Sequence, residues 1–447
     1  MRQFLFVDNF RGFANTFVPL LDVNFLVGQN STGKTSILYL LRLFLGQHLY
    51  TQADFSVAGE SFGLFNELVS AHSEDTRSFH IGVIQERETP NGDCKSTAIL
   101  LTYIDRAGLP ELSAVTTAVS NREISLRWEN GKAFARTQPL PEATTAEHIK
   151  SLLPRWLAEH ADPIADMPVL QLPENLTSNK MPLFVVMTLV AQTLQPSGNK
   201  GEQRQEHNPA DFPFFWPDIG HSLAWIAPIR TKPDRTYDQP QTAFSSEGSH
   251  TPYVIRRMLK SDEGKKKFDS FMSRVGKDSG LFDSIDVKLF GPPEDLTAPF
   301  EIDAILDAKP LNLNMVGYGV SQSLPILVEL LDRPKGSWFA IQQPEVHLHP
   351  KAQAALGDVF FDMAVRDKKR FVVETHSDFT IDRFRMRYRR KTSQSLKPDS
   401  QILFFERHNK CNTVTPLSIS PTGELPANQP EGYRRFFIRE QMDLLGL

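Results

Sequence analysis

One eight-residue stretch restricts this chain more than any other. Gly28-Gln29-Asn30-Ser31-Thr32-Gly33-Lys34-Thr35 fits GxxxxGK[ST] in full, and it stands between the apolar run Val23 to Val27 and the apolar run Ser36 to Leu45. The spacing predicts a strand, a loop and a buried helix. Glycines in such a loop let consecutive backbone N–H groups close around phosphate oxygens, and the helix behind it adds the positive end of its dipole. Lys34 then reaches the β- and γ-phosphates, and the Thr35 hydroxyl ligates Mg2+. Gly28, Asn30, Ser31, Thr32, Gly33, Lys34, Thr35 and Ser36 are therefore the candidate residues for holding a nucleotide.

The chain has 447 residues, roughly three times the ~150 residues of an average domain, so a large interrupted domain and two or three modules are both open. With 40% hydrophobic residues and 32 Phe, there is ample material for a core, which excludes disorder for most of the chain. A formal net charge of -4 removes any argument for nucleic-acid binding from bulk charge. Cys94 and Cys411 are too few for a disulfide framework or a Cys-based zinc site and fit a reducing compartment. Asp8, Asn9 and Arg11 interrupt the N-terminus before any export signal forms, and the runs Ile37 to Leu45 and Pro182 to Ala191 fall short of the ~20 residues of a membrane span. The expectation is a cytoplasmic protein with no membrane partner.

Short strands are expected at Phe4 to Val7 and Val23 to Val27, joined by a turn-rich connection. Segments His80 to Gln85, Thr97 to Ile104 and Glu123 to Trp128 alternate and are split by Asn91-Gly92, Ala107-Gly108 and Asn130-Gly131, which predicts antiparallel hairpins. The polar run at 196 to 210 reads as an exposed, mobile loop, and Leu223 to Ile229 as a buried strand ending in Arg230. Thr251 to Gly276 reads as helical, with Gly264 to Lys267 as a solvated turn. A helix to Leu331, a strand Trp338 to Ile341, a helix Lys351 to Val365 and a strand Phe371 to Glu374 complete a βα alternation. The fold class is α/β with a mostly parallel sheet, plus an inserted region of hairpins and helices. The expected parts are 1–50 with the phosphate loop, 51–220 as the insertion, and 221–447 as the rest of the ATPase head.

A phosphate loop alone does not separate the nucleotide-binding families; the second half of the chain is more specific. Gly317 to Leu331 (GYGVSQSLPILVELL) resembles an ABC signature loop and helix, and Phe339 to Pro350 (FAIQQPEVHLHP) a Walker B strand with its D-loop. Val372 to Phe379 (VVETHSDF) resembles a switch-histidine strand, and Phe6 to Phe13 and Ala227 to Tyr237 are similar to further stretches of the same group. In that order they resemble the ABC-type ATPases of the OLD, RecF and SMC clade. The resemblance implies ATP and Mg2+ as ligands, Gly319 and Ser321 contacting the γ-phosphate of an opposite subunit, and His376 sensing it. A homodimer follows. The resemblance leads to the expectation that no Toprim nuclease module of OLD type follows the ATPase sheet, an arrangement that resembles ATPase subunits of the anti-phage systems Septu and PARIS, where a separate effector acts.

The Walker B block departs from its clade. The two acids expected at the strand end, one on the Mg2+ side and one orienting water, are Gln342 and Gln343. A glutamine can orient a water but cannot accept its proton, so slowed turnover is expected. Gln342 reads either as an exchanged acid that traps ATP or as an adaptation for binding over turnover. Glu345 is a candidate for the missing carboxylate, while His347 and His349 read as D-loop residues in preference to a metal site. Gln342, Gln343, Glu345 and His376 are the candidate catalytic residues; Thr35 and Gln342 stand on the metal side. Arg230 and Arg235 are candidates for phosphate or interface contacts. Arg383, Arg385, Arg387 and Arg389 form a basic strip that would suit DNA in a RecF-like alternative, an acidic partner, or solvent alone. The second alternative is an ATP-dependent scaffold without hydrolysis.

Overall fold

The computed structural model describes residues 2–45, 55–57, 60–88, 94–119, 121–129, 132–141, 144–159, 167, 169–170, 223–292, 295, 297–389 and 397–435. The run 196–210, the apolar run 182–191 and the turns at 91–92 and 130–131 lie outside the described residues. The chain divides into two compact units: Met1–Leu20, Gln29–Ile219 and Phe405–Val414 make the first, and Leu21–Gly28, Gly220–Phe404 and Thr415–Leu447 the second.

In chain order the elements begin with β1 (Arg2–Asp8), β2 (Thr16–Leu20), β3 (Val23–Gly28), α1 (Lys34–Leu45), β4 (Ser56–Val57), β5 (Glu60–Ser61) and α2 (Phe65–Leu68). Next come β6 (Ser78–Glu88), β7 (Cys94–Arg106), β8 (Leu109–Val119), β9 (Arg122–Glu129), β10 (Lys132–Pro139), α3 (Ala146–Glu159) and β11 (Val169–Leu170). The second half holds β12 (Leu223–Ile226), α4 (Thr251–Met258), α5 (Asp262–Ser279), β13 (Ser284–Leu289), β14 (Phe300–Leu306) and β15 (Lys309–Asn312). It ends with α6 (Tyr318–Asp332), β16 (Trp338–Gln342), α7 (Pro350–Asp367), β17 (Arg370–Glu374), α8 (Asp378–Arg387), β18 (Ser400–His408) and β19 (Cys411–Ser418).

The first unit is built on an eight-stranded sheet in the order β11-β10-β9-β8-β7-β6-β1-β2. The expected hairpins are there: Ala107 and Gly108 both take positive φ, 52° and 84°, the geometry whose twist suits a two-residue hairpin. The connection expected between Val7 and Val23 holds a further strand. Pro19 argues against a strand, but β2 is the sheet edge, where a residue without an N–H is tolerated. Helix α3 lays Ile149, Leu153 and Trp156 on a face formed by Phe6, Ile84 and Leu100. The indole N–H of Trp156 donates to buried Glu123 Oε2 at 2.8 Å, and Arg155 pairs with the same oxygen.

In the second unit β12, β16, β17 and β3 are parallel neighbours in that order within a six-stranded sheet, as the βα alternation predicts. Their core includes Phe25, Ile226, Phe339, Ile341, Phe371 and Val373 with side chains from α4 to α8. Asn24 is a polar residue in an apolar strand, fully buried, and every polar atom is used. It bonds the Leu21 backbone twice, donates to Phe371 O at 3.0 Å, and accepts from Gln401 Nε2 at 2.8 Å. That set of partners pins the position of β3. The segment Gly264 to Lys267 is helical, correcting the expected turn. Ser261 caps α5 by accepting from Gly264 N, and Lys267 Nζ reaches Leu331 O at 3.0 Å, so the lysines coat a helix flank. A three-stranded antiparallel sheet, β13-β14-β15, completes the unit.

Buried Lys369 donates to Leu330 O and, at 3.1 Å, to Arg333 O; burial lowers its pKa from 10.5 to about 8. The unfolded chain keeps this proton where the folded chain has released it. Stability of the second unit therefore rises with pH through the window from about 8 to 10.5. Urea denaturation at several pH values in that window should show the rise in the parent and a flatter profile in Lys369→Met; equal profiles contradict the assignment.

Candidate functional site

The phosphate loop is shaped by its own chain. Gly28, Ser31 and Gly33 have φ of 146°, 62° and 93°, so the backbone folds back on itself before α1 begins. Gln29 O accepts from the Thr32 hydroxyl at 2.8 Å and from Lys34 Nζ at 2.7 Å, and Gly33 O accepts the first helical bond from Ile37 N. Lys34 is nearly fully buried, whereas Gln29, Asn30 and Ser31 are exposed. Gly33 is required twice over. Its φ favours glycine, and a Cβ there would lie 2.3 Å from the ring of Phe13. Phe13 is held by two backbone bonds to Phe10, which explains the opening motif Phe6 to Phe13 as a support for the loop.

In the second unit, the C-terminal ends of β16, β17 and β3 lie side by side. Gln342 pairs with Glu374, and Glu374 with Leu26, two residues before Gly28. Gln342 Nε2 donates to Glu374 Oε2 at 3.1 Å, and Gln343 N donates to Glu374 O at 2.7 Å, with Gln343 at φ 43°. Glu345 has one oxygen on the Thr375 hydroxyl at 2.8 Å and the other on His376 N at 2.7 Å. It thereby holds the turn after β17 by both oxygens. The carboxylate that touches Gln342 is Glu374, a residue the sequence reading passed over. Its signal was visible: an acid amid the apolar residues of β17.

Arg230 is buried, and no ion pair of its guanidinium is present among the described residues. Its backbone N–H donates to Gln322 Oε1 at 3.1 Å, and its guanidinium donates to Gln322 O, Gln342 O and Gln343 O at 3.2, 3.1 and 3.4 Å. It ties α6 to the end of β16. Burial lowers its pKa to about 10, opposed by the charge of Glu345. Arg235 is exposed and lines a cavity of about 560 Å³ with Lys232, Tyr237, Tyr253, Thr251 and Ser321.

Helix α6 starts at Tyr318. Gly319 packs closely on the turn before α7, where a Cβ would meet His347 O at 3.0 Å. Ser321 is nearly fully buried, and its hydroxyl donates to Tyr318 O at 3.1 Å. Met315, 77% exposed, and Tyr318, 54% exposed, are the large apolar groups presented beside it. His347 stands against the Tyr318 ring, and His349 caps α7 by accepting from Lys351 N. The basic strip is helical through Arg387. Arg383 pairs with Asp358, Arg385 with Asp382, and Arg387 with Asp358 and Asp362, so three of its four arginines are tied to acids; Arg389 is exposed.

Comparison with known proteins bears on the class. Residues 1–86 match the family described as AAA ATPase domain, and residues 259–382 the family described as "AAA domain, putative AbiEii toxin, Type IV TA system". The first match includes the phosphate loop, and the second runs from α5 into α8. No curated protein matches it. Among solved structures it is similar to an SMC head bound to the C-winged helix domain of ScpA, at 11% identity and TM-score 0.44 over 93% of this chain and 97% of that one. It is also similar to the SMC head domain from Thermotoga maritima, at 10% identity and TM-score 0.40 over 93% and 99%. The strand order described above, and not these overlaps, defines the fold. Among the described residues no helix is long and apolar enough to cross a membrane.

Arg230→Lys should lower stability by roughly 1–3 kcal/mol, because one ammonium cannot serve the carbonyls of Gln322, Gln342 and Gln343 together. Urea denaturation measures it. An unchanged midpoint would mean that the clamp carries no weight.

Proposed function

We propose that this chain is an ABC-type ATPase that binds ATP with Mg2+ on the phosphate loop Gly28 to Thr35, dimerises around the nucleotide, and uses that state to control a separate effector, a nuclease of anti-phage defence. The observation that carries the reading is the loop itself: a glycine-built turn with Lys34 and a helix start behind it, continuous with a parallel strand. Mg2+ takes hard oxygen donors, and the metal-side candidates, the Thr35 hydroxyl and the Gln342 amide oxygen, are of that kind. When bound, the metal would neutralise charge on the β- and γ-phosphates.

Lys34 supplies the positive charge in a loop otherwise made of backbone donors, and Gln343 orients the attacking water without accepting its proton, which keeps turnover slow. Exposed Met315 and Tyr318 at the start of the signature helix support association with a second copy, since apolar surface there gains by being covered. The pairing of Arg383, Arg385 and Arg387 with acids leaves less free positive charge for direct DNA binding.

Lys34→Ala should weaken ATP binding by roughly tenfold to a hundredfold, the loss of one charge-assisted contact, in a titration with a fluorescent ATP analogue. Unchanged affinity would refute the loop assignment. Met315→Asp should leave that affinity intact and abolish ATP-dependent dimerisation in analytical ultracentrifugation. A dimer that forms as in the parent would remove the signature face from the interface.

A further inference from the structure

Strand β13 has β14 on one side and, among the described residues, no strand on the other. Phe290 N donates to Pro299 O across the ladder, whereas Phe300, the register partner of Leu289, exchanges both its backbone bonds with Tyr237 on the far side of β14. Bonded and non-bonded pairs alternate along an antiparallel ladder, so Ser284, Asp286 and Lys288 turn their backbone groups to β14, and Ile285, Val287 and Leu289 turn theirs to the open edge. The Val287 N–H at the centre of that edge donates to the carboxylate of Asp286 at 2.9 Å, in place of a neighbouring strand. Ile285 is buried, Val287 and Leu289 are half-buried, and all three line an open cavity of about 550 Å³ with Leu259, Lys260 and Lys265.

The exposed side of the strand carries unbalanced charge. Lys288 lies opposite Glu301 at 3.7 Å, but Asp286 lies opposite another acid, Asp303. Like charges facing each other across a ladder are unfavourable. The Asp303 carboxyl is pushed above its ordinary value by burial and by the charges of Glu301 and Asp286, with Lys288 opposing. A cation on the free side of Asp286 would relieve this.

The strand itself supplies that cation. Residues 285–289 read Ile-Asp-Val-Lys-Leu, apolar at the centre and both ends, with opposite charges between. A two-fold axis at Val287 sets Val287 against Val287 of a second copy, Ile285 against Leu289, and Asp286 against Lys288. The outward backbone groups then meet each other, and the charged residues fall at the non-bonded positions, where side chains approach most closely. The adjacent two-fold registers that keep this match centre on residue 286 or 288 and set Asp286 on Asp286 or Lys288 on Lys288, so charge selects the register.

We propose that β13 pairs with β13 of a second copy of this chain, joining two three-stranded sheets into one through a two-fold interface that needs no nucleotide. This contact is separate from the nucleotide-dependent one at Met315 and Tyr318. In the pair, Ile285, Val287 and Leu289 exchange backbone bonds across the axis, half-buried apolar side chains beside the cavity are covered, and each Asp286 gains a lysine in exchange for its local bond to Val287 N.

Sedimentation velocity of the parent in EDTA without nucleotide should show a concentration-dependent dimer. Val287→Pro removes the central donor at an edge position that tolerates proline, and should leave a monomer. Asp286→Lys and Lys288→Asp should each weaken the dimer by at least about tenfold, because like charges then face each other on both sides of the axis. Mixed in equal amounts, these two variants should form a heterodimer with an affinity near the parent's, since each supplies the charge that the other lacks; that recovery excludes a folding defect. A monomeric parent, single variants that dimerise as the parent does, or a mixture that stays monomeric would overturn the proposal. The ATPase reading is independent of all three results, because no nucleotide is present.

Discussion

Parallel register in β16, β17 and β3 is the constraint on which the site depends. Parallel strands end together, so the chain must leave the sheet at neighbouring points, and the residues at those points are Gln342, Glu374 and the approach to Gly28. Nothing else in the sequence brings residues 28, 342 and 374 to one edge. Asn24 fixes β3 in that register through a complete set of buried hydrogen bonds, at a position where an unsatisfied amide would cost about 1–3 kcal/mol.

Strand ends also leave backbone groups that need partners, and the second unit meets this with buried polar side chains. Arg230 takes the carbonyls of Gln342 and Gln343 together with one from α6, and Glu345 takes the backbone N–H of His376. These contacts hold the turn after β16, helix α6 and the turn after β17 in fixed relation within the unit. A hydrogen bond in such surroundings is stronger than in water, and its loss costs correspondingly more.

Much of this was legible in the sequence. The phosphate loop carries its own spacing rule, and the βα alternation from Leu223 to Glu374 follows from apolar runs that recur with turns between them. What periodicity could not supply was adjacency. The acid at Glu374 was on view, but that β17 lies beside β16, and so beside Gln342, is a property of strand order and not of local pattern. Other misses have equally local causes. Pro19 hid an edge strand, glycine and three lysines disguised a helical turn of α5, and Arg383 to Arg389 looked like an open basic strip because its acidic partners Asp358 and Asp362 sit on α7, more than twenty residues away.

The central proposal is that the loop Gly28 to Thr35 binds ATP through Lys34 and its backbone donors. A crystal structure of the chain grown with a non-hydrolysable ATP analogue tests it most directly, because density locates the triphosphate independently of any assumption about the loop. The account predicts triphosphate in the loop Gly28 to Thr35. Triphosphate held elsewhere, with that loop empty, would contradict it.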